Sequence, residues 1–195
     1  MGIDLQSAVE RLRAGEVVAI PTDTVYGLAA SLNSPGAIAQ IYQMKGRPAD
    51  KPLPILGGSL EQLTSLSTQP ELWLPLARHF WPGPLTLVVP AAPGLPPGVV
   101  GQDGTVALRW PGGVLVGQLL SATGPLAVTS ANRSGQPPAT RWEEISDWPV
   151  LRAHEPLQGT PSTIIAWQRG GWRLLRAGSL DVEKIGRFLG QPLLP

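Results

Sequence analysis

Leu5, Ala8, Val9 and Leu12 recur at helical spacing between Asp4 and Gly15, which predicts an amphipathic helix from Leu5 to Ala14 with Asp4 as its cap. The apolar run Val17 to Ile20 reads as a buried strand. Ser34 followed by Pro35 reads as a cap with proline at the first helical position, and Ala37, Ile38, Ile41 and Tyr42 supply one apolar face of a helix running into Lys45. Leu53 to Leu56 is a short strand, and Ser59 with Gln62 three residues on predicts a capping box for a brief helix. Another helix is expected from Glu71 to Phe80.

Further along, Leu85 to Val89, Val106 to Arg109 and Leu126 to Thr129 are apolar runs bounded by Pro and Gly, with a helix expected near Val114 to Ala122. Thr163 to Trp167 and Trp172 to Arg176 read as a hairpin turning through Gly170 and Gly171, so the sheet should be mixed. A last helix is expected from Asp181 to Leu189, ending at Gly190. Ala91 to Val100 and Gln136 to Pro161 read as loops, the second long enough to suggest a mobile cover. The pattern is an α/β alternation without internal repeats, expected to form one domain over residues 1–195: a twisted mixed sheet with flanking helices.

Composition narrows the chemistry. The 195 residues contain no cysteine, which removes disulfides, thiol nucleophiles and cysteine-bound zinc. The 22 Pro and 23 Gly stand beside 43% hydrophobic residues and 7 Trp, a balance that supports a packed core. The first dozen residues carry Asp4 and Glu10 and no signal-like apolar stretch, and no apolar run is long enough to span a bilayer; the expectation is a cytoplasmic protein with no membrane partner. A net charge of +1 gives no broad electrostatic footprint for nucleic acid. Only three of the 15 basic residues are Lys, yet Lys45 and Lys51 fall within one short loop.

The familiar phosphate-binding signatures GxGxxG and GxxxxGK[ST] are absent, and His79 and His154 read as a helix-face and a loop histidine. Three segments carry the chemistry instead. Pro21 to Leu28 ends a strand with Thr22, Asp23, Thr24 and Tyr26; it reads either as a ligand-facing strand end or as a turn in which Thr22 or Asp23 satisfies backbone amides. Lys45 to Leu53 puts Lys45, Arg47 and Lys51 in a loop stiffened by two prolines, suited to a polyanion or else a solvated surface loop in which Asp50 pairs with a lysine.

The third segment, Ser130 to Gly135, projects Ser130 and Asn132 from a strand end, as neutral ligand groups or as an Asx turn. Arg109 and Arg176 end two further strands, and each alone reads as a surface arginine. Ser162 and Thr163 read as a turn or as a pair of substrate hydroxyls. Trp81 in Trp81-Pro82-Gly83-Pro84-Leu85-Thr86 reads as core.

Taken in order, the PTDTVYGL segment, the KxRxxxKPL loop, WPGPLT, Arg109-Trp110-Pro111, SANxSG, Pro161-Ser162-Thr163-Ile164 and Arg176-Ala177-Gly178 closely resemble the threonylcarbamoyl-AMP synthase family, whose members carry the YrdC-like domain. The resemblance spans about Leu5 to Gly178 and is to the short, single-domain form. It implies a YrdC-like fold with an open basic cavity, and a nucleotidyltransferase that condenses L-threonine, bicarbonate and ATP to threonylcarbamoyl-AMP and pyrophosphate. The product would pass to the tRNA threonylcarbamoyltransferase machinery for the N6-threonylcarbamoyl-adenosine modification.

By the same resemblance, Lys45 and Arg47 are catalytic; Thr22, Tyr26, Ser162 and Arg109 bind threonine; and Lys45, Arg47, Lys51, Ser130, Asn132 and Arg176 bind the nucleotide. Mg²⁺ would arrive with ATP, with no metal ligand assigned to the protein. Leu56 stands where many relatives have a histidine, and Ala166 where many have an acid. Two other readings remain open at this stage. One is a non-enzymatic module binding double-stranded RNA or tRNA, which would be steeply salt-dependent. The other is a paralogue such as the hydrogenase-maturation carbamoyltransferases, whose additional domains have no counterpart in these residues.

Overall fold

The computed structural model describes residues 1–48, 50–132 and 136–194. After β1 (Gly2–Ile3), the Asp4 carboxylate accepts the Ser7 amide at 2.9 Å and so starts α1 (Leu5–Arg13), which buries Ala8 and Leu12. β2 (Val18–Ile20) and β3 (Gly27–Ser31) form an antiparallel hairpin whose connection carries the Thr22 segment. β3 was not expected from the sequence. Its Gly-Leu-Ala-Ala-Ser composition has little strand preference, and pairing on both sides, with β2 and with β7 (Leu126–Ser130), makes it a strand.

α2 (Pro35–Lys45) begins with proline as expected, but the Ser34 side chain makes no cap bond; its carbonyl receives the amides of Ala37 and Ile38 instead. Ser59 does cap α3 (Leu60–Thr64), while Gln62 reaches the amide of Gly58 rather than that of Ser59, one residue away from a capping box. The helix expected from Glu71 to Phe80 is divided into a 3₁₀ turn, Pro70–Leu72, and α4 (Leu74–Phe80), each opening on its own proline.

Among the described residues, ten strands form one sheet in the order β1-β8-β2-β3-β7-β4-β6-β5-β9-β10. Its remaining members are β4 (Ile55–Leu56), β5 (Leu85–Pro90), β6 (Thr105–Arg109), β8 (Val150–Leu151), β9 (Thr163–Gln168) and β10 (Gly171–Arg176). Four neighbouring pairs are parallel (β1 with β8, β8 with β2, β4 with β6, β5 with β9) and the other five antiparallel, the mixed sheet expected. α5 (Val114–Thr123) and α6 (Val182–Leu189) complete the helices.

β8 corrects the expectation of a mobile cover over Gln136 to Pro161. Val150 and Leu151 insert between β1 and β2, and the rest of the segment is tied down by Leu157 to Thr140 and by Gly159 to Thr24 backbone bonds. A two-residue strand gives no periodicity to read.

Register decides where a ligand can sit. Leu87, Leu108, Ile55, Ala127 and Ile165 share one sheet face and join the larger core together with Ile38, Ile41, Trp73 and Trp81. On the opposite face, Ile20, Ala29, Leu126 and Val128 are covered by Leu12, Leu119 and Leu120 of α1 and α5. That cover stops at Leu56 and Val128. Beyond them the same face, through β6, β5 and β9, carries no helix and lines a cleft.

Candidate functional site

The cleft has a volume of about 730 Å³, within the size range of small-molecule sites. Strand alternation builds its floor: Pro54 and Leu56, Ala107 and Arg109, Thr86 and Val88, and Ser162 and Ile164 all project to the open face. An apolar strip is therefore bounded by polar strand ends.

At one end, Arg47 and Lys51 line the wall. α2 stops at Gly46, which adopts φ 58°, ψ 35° and reverses the chain. Arg47 then donates from Nε to the Lys51 carbonyl at 2.8 Å, from Nη2 to the Pro52 carbonyl at 3.1 Å and from Nη1 to Thr129 Oγ1 at 3.4 Å. The Tyr42 hydroxyl, 2.9 Å from the Lys51 carbonyl and 2.8 Å from the Gly98 carbonyl, fastens the same loop from outside. The loop is thus ordered by its own arginine, with Lys51 exposed on it.

At the other end, Arg109 is buried, its side chain 6% exposed. It pairs through Nη2 with Asp23, and donates from Nη1 to Thr24 Oγ1 at 3.2 Å and from Nε to the Gly83 carbonyl at 3.0 Å. Burial pulls its pKa down, and the Asp23 carboxylate opposes that shift. Arg176 donates twice to the Ser162 carbonyl, at 3.2 and 2.8 Å, and once to Ser162 Oγ at 3.2 Å; that hydroxyl lies 2.8 Å from Thr86 Oγ1. Gly178 explains why these motifs travel together: a Cβ there would stand 2.3 Å from the Pro161 carbonyl oxygen, so only glycine lets the two turns meet.

The structure brings Thr22, Arg109, Ser162, Arg176, Arg47, Lys51 and Ser130 to one cleft. It gives three expected site residues different surroundings. Tyr26 also borders the cleft, but its hydroxyl accepts the Ala153 amide at 3.0 Å and donates to the Leu151 carbonyl at 3.4 Å; the residue is 0% exposed, and burial raises the phenol's pKa. Thr22 Oγ1 accepts the amides of Thr24 and Val25, both at 3.2 Å, and donates to the Val25 carbonyl at 2.7 Å, which is the amide-satisfying turn that the sequence also allowed.

Lys45 is turned away from the cleft. Its ammonium donates to the carbonyl of Ser130, to the carbonyl of Asn132 at 2.7 Å and to Asn132 Oδ1 at 3.1 Å. Residues 133–135 of the third segment, and Ala49 of the second, lie outside the described residues. Thr24, one of the hydroxyls expected at the first strand end, lines the cleft, whereas Thr86 and Gln168 are cleft residues that sequence reasoning missed.

Comparison with known proteins places this geometry. The Sua5/YciO/YrdC family model, described as telomere recombination, matches residues 10–178. The chain belongs to this family. It is 38% identical over 188 residues to the threonylcarbamoyl-AMP synthase of Pyrococcus abyssi, an alignment covering 92% of this chain and 55% of that one, so it spans little more than half that relative's length. It is 39% identical to a putative threonylcarbamoyl-AMP synthase of Mycobacterium leprae, covering 95% and 88% of the two chains. The crystal structure of P. abyssi Sua5 complexed with L-threonine superposes with a TM-score of 0.91 at 35% identity, over 100% of this chain and 62% of that one. The fold is also that of E. coli YciO, with a TM-score of 0.84 at 23% identity over 94% and 96% of the chains.

Within this family fold, Leu56 packs on the cleft floor opposite Arg109 and Leu126, an apolar contact. Ala166 is fully buried between Val88 and Arg173 in the sheet, so no acid stands there. Thr22→Val keeps the volume but removes the acceptor for two amides, and should cost about 1–3 kcal/mol in denaturant unfolding, whereas Thr22→Ser should stay close to wild type. Equal stability of the two variants would mean that the hydroxyl does not hold the turn.

Proposed function

We propose that this chain is a threonylcarbamoyl-AMP synthase, forming threonylcarbamoyl-AMP and pyrophosphate from L-threonine, bicarbonate and ATP. The observation that carries the reading is the division of one cleft between a cationic wall, Arg47 and Lys51, and a hydroxyl-and-arginine corner built from Thr22, Thr24, Arg109, Ser162 and Arg176, with an apolar floor between. A triphosphate suits the first end, where arginine grips phosphate oxygens and lysine acts as a point charge. The amino acid suits the second.

The chemistry fits a site without a nucleophilic side chain. The threonine nitrogen bonds to the bicarbonate carbon with loss of water, and a carbamate oxygen then bonds to the α-phosphorus of ATP. The bond from that phosphorus to the bridging oxygen breaks, and pyrophosphate leaves with the electron pair. Positioning and charge neutralisation carry such a step. Arg47 and Lys51 would neutralise the phosphates, Ser130 and Arg176 would hold the nucleotide's polar edges, and Arg109 with Ser162 and Thr22 would fix the threonine.

Among the described residues there is no cluster of three His, Cys, Asp or Glu side chains, and Asp23 is engaged with Arg109. The residues fit a Mg²⁺ ion that enters on ATP and is held chiefly by the triphosphate. No helix of the described residues is long and apolar enough to cross a membrane. We infer that the product, an activated carbamoyl adenylate, is passed to the tRNA threonylcarbamoyltransferase machinery. Incubation with ATP, L-threonine and carbon-labelled bicarbonate should yield an adenylate carrying the label, seen by mass spectrometry. Recovery of ADP alone, or of an unlabelled adenylate, would contradict the proposal.

A further inference from the structure

We propose that Lys45 is a positioning residue: its ammonium group clamps the backbone of the Ser130–Asn132 turn and thereby presents Ser130 to the cleft, without itself touching substrate. This goes beyond the synthase reading, which on resemblance counts Lys45 among the catalytic, phosphate-facing cations.

Three observations converge on it. Lys45 is 7% exposed and lies outside the cleft wall, although Arg47, two residues later, is part of that wall. The left-handed Gly46 separates the two cations, leaving one behind the turn and sending the other into the cleft. The three ammonium protons face three oxygens: the Ser130 carbonyl, the Asn132 carbonyl and Asn132 Oδ1. An ammonium has three donors and no others to give, so this set occupies the group fully.

The clamp acts where the site needs order. Ser130 ends β7 opposite Gly27, the Ala131 amide donates to the Tyr26 carbonyl at 2.7 Å, and the Asn132 amide donates to the Ser130 carbonyl at 3.0 Å. Asn132 Nδ2 continues the chain of bonds to the Gln136 carbonyl at 2.5 Å, toward the cleft residue Pro138. Lys45 therefore joins the end of α2 to the turn and to the segment after it. Burial, and the Arg47 guanidinium, pull its pKa from 10.5 down to about 8. Opening of the turn that frees the ammonium restores its ordinary proton affinity, so opening becomes costlier as pH rises through that value.

The sign for folding stability is the same. A lowered pKa means that the folded state holds the proton less tightly than the unfolded state, so Lys45's contribution to folding stability rises with pH between about 8 and 10.5.

Amide hydrogen exchange of the unliganded protein tests the proposal without assuming any reaction. In Lys45→Arg, whose planar fork cannot meet three convergent oxygens, the amides of Ala131 and Asn132 should exchange on the order of tenfold faster than in wild type. In Arg47→Lys they should be unchanged. In wild type, raising the pH from 7 to 9.5 should slow the same two amides relative to their intrinsic base catalysis, a measurement that needs no variant to fold. Protection retained in Lys45→Arg, or opening of these amides that is independent of pH across that range in wild type, would overturn the proposal.

Where turnover is measurable, Lys45→Arg should lower kcat and leave the ATP requirement nearly unchanged. Full rescue by arginine would instead mark a phosphate ligand and overturn the proposal. If wild type shows no turnover, the synthase reading fails and the exchange result still stands.

Discussion

Arg109→Met should lower the unfolding free energy by about 3 kcal/mol, since removing one partner of a buried ion pair leaves the other uncompensated. For a chain of this length that corresponds to a fall in melting temperature of roughly 6–12 °C. Three acceptors in two connections lose a donor at once: Asp23 and Thr24 in the β2–β3 connection, and Gly83 in the turn before β5. Arg109→Lys should recover only part of the loss, because a single ammonium on a flexible stem cannot span those three acceptors.

The double variant Arg109→Met with Asp23→Asn separates structure from function. With the stranded carboxylate removed, stability should return to within about 1 kcal/mol of wild type, while the threonine requirement stays high. Thermal melts and threonine titrations of all three variants check this. Recovery of threonine binding in the double variant would show that Arg109 serves the fold alone.

Arg47→Ala should reduce turnover by about 2–4 kcal/mol of transition-state stabilisation, the range for losing one preorganised electrostatic donor. The loss has two sources. Arg47 is the loop's own brace, through the Lys51 and Pro52 carbonyls, and it is also a cation on the cleft wall. Arg47→Lys keeps the charge and removes the brace, so it should fall between wild type and Arg47→Ala in kcat/KM for ATP. A change below about tenfold in Arg47→Ala would demote the loop to a surface feature.

How much of this was legible in the sequence depended on whether a residue's role is local. Asp4 before Leu5, Ala8 and Leu12 gave α1 correctly because a cap and an apolar stripe are short-range properties. The apolar runs of β5, β6 and β7 were readable because each is a short, mostly buried apolar stretch bounded by Pro or Gly. β3 and β8 were not readable, since Gly27–Ser31 and Val150–Leu151 become strands only by filling gaps between distant partners.

The site shows the same division. Strand-end placement pointed to Thr22 and Ser130, and both line one cleft with Arg47, Ser162, Arg109 and Arg176, of which the two last read alone as surface arginines. What single positions could not show was direction. Tyr26 points its hydroxyl at the backbone beyond β8, which no local pattern announces. Lys45 and Arg47 look equivalent in a basic loop, yet across the left-handed Gly46 one bonds the Ser130–Asn132 turn and the other Thr129 and its own loop. Thr22 kept both of its readings, lining the cleft while satisfying its own turn.

If one cleft joins threonine, bicarbonate and ATP, the purified protein should release pyrophosphate from ATP. Release should depend on both L-threonine and bicarbonate, falling to background when either is omitted. Release that continues without either one, or no release with all three present, would contradict the account.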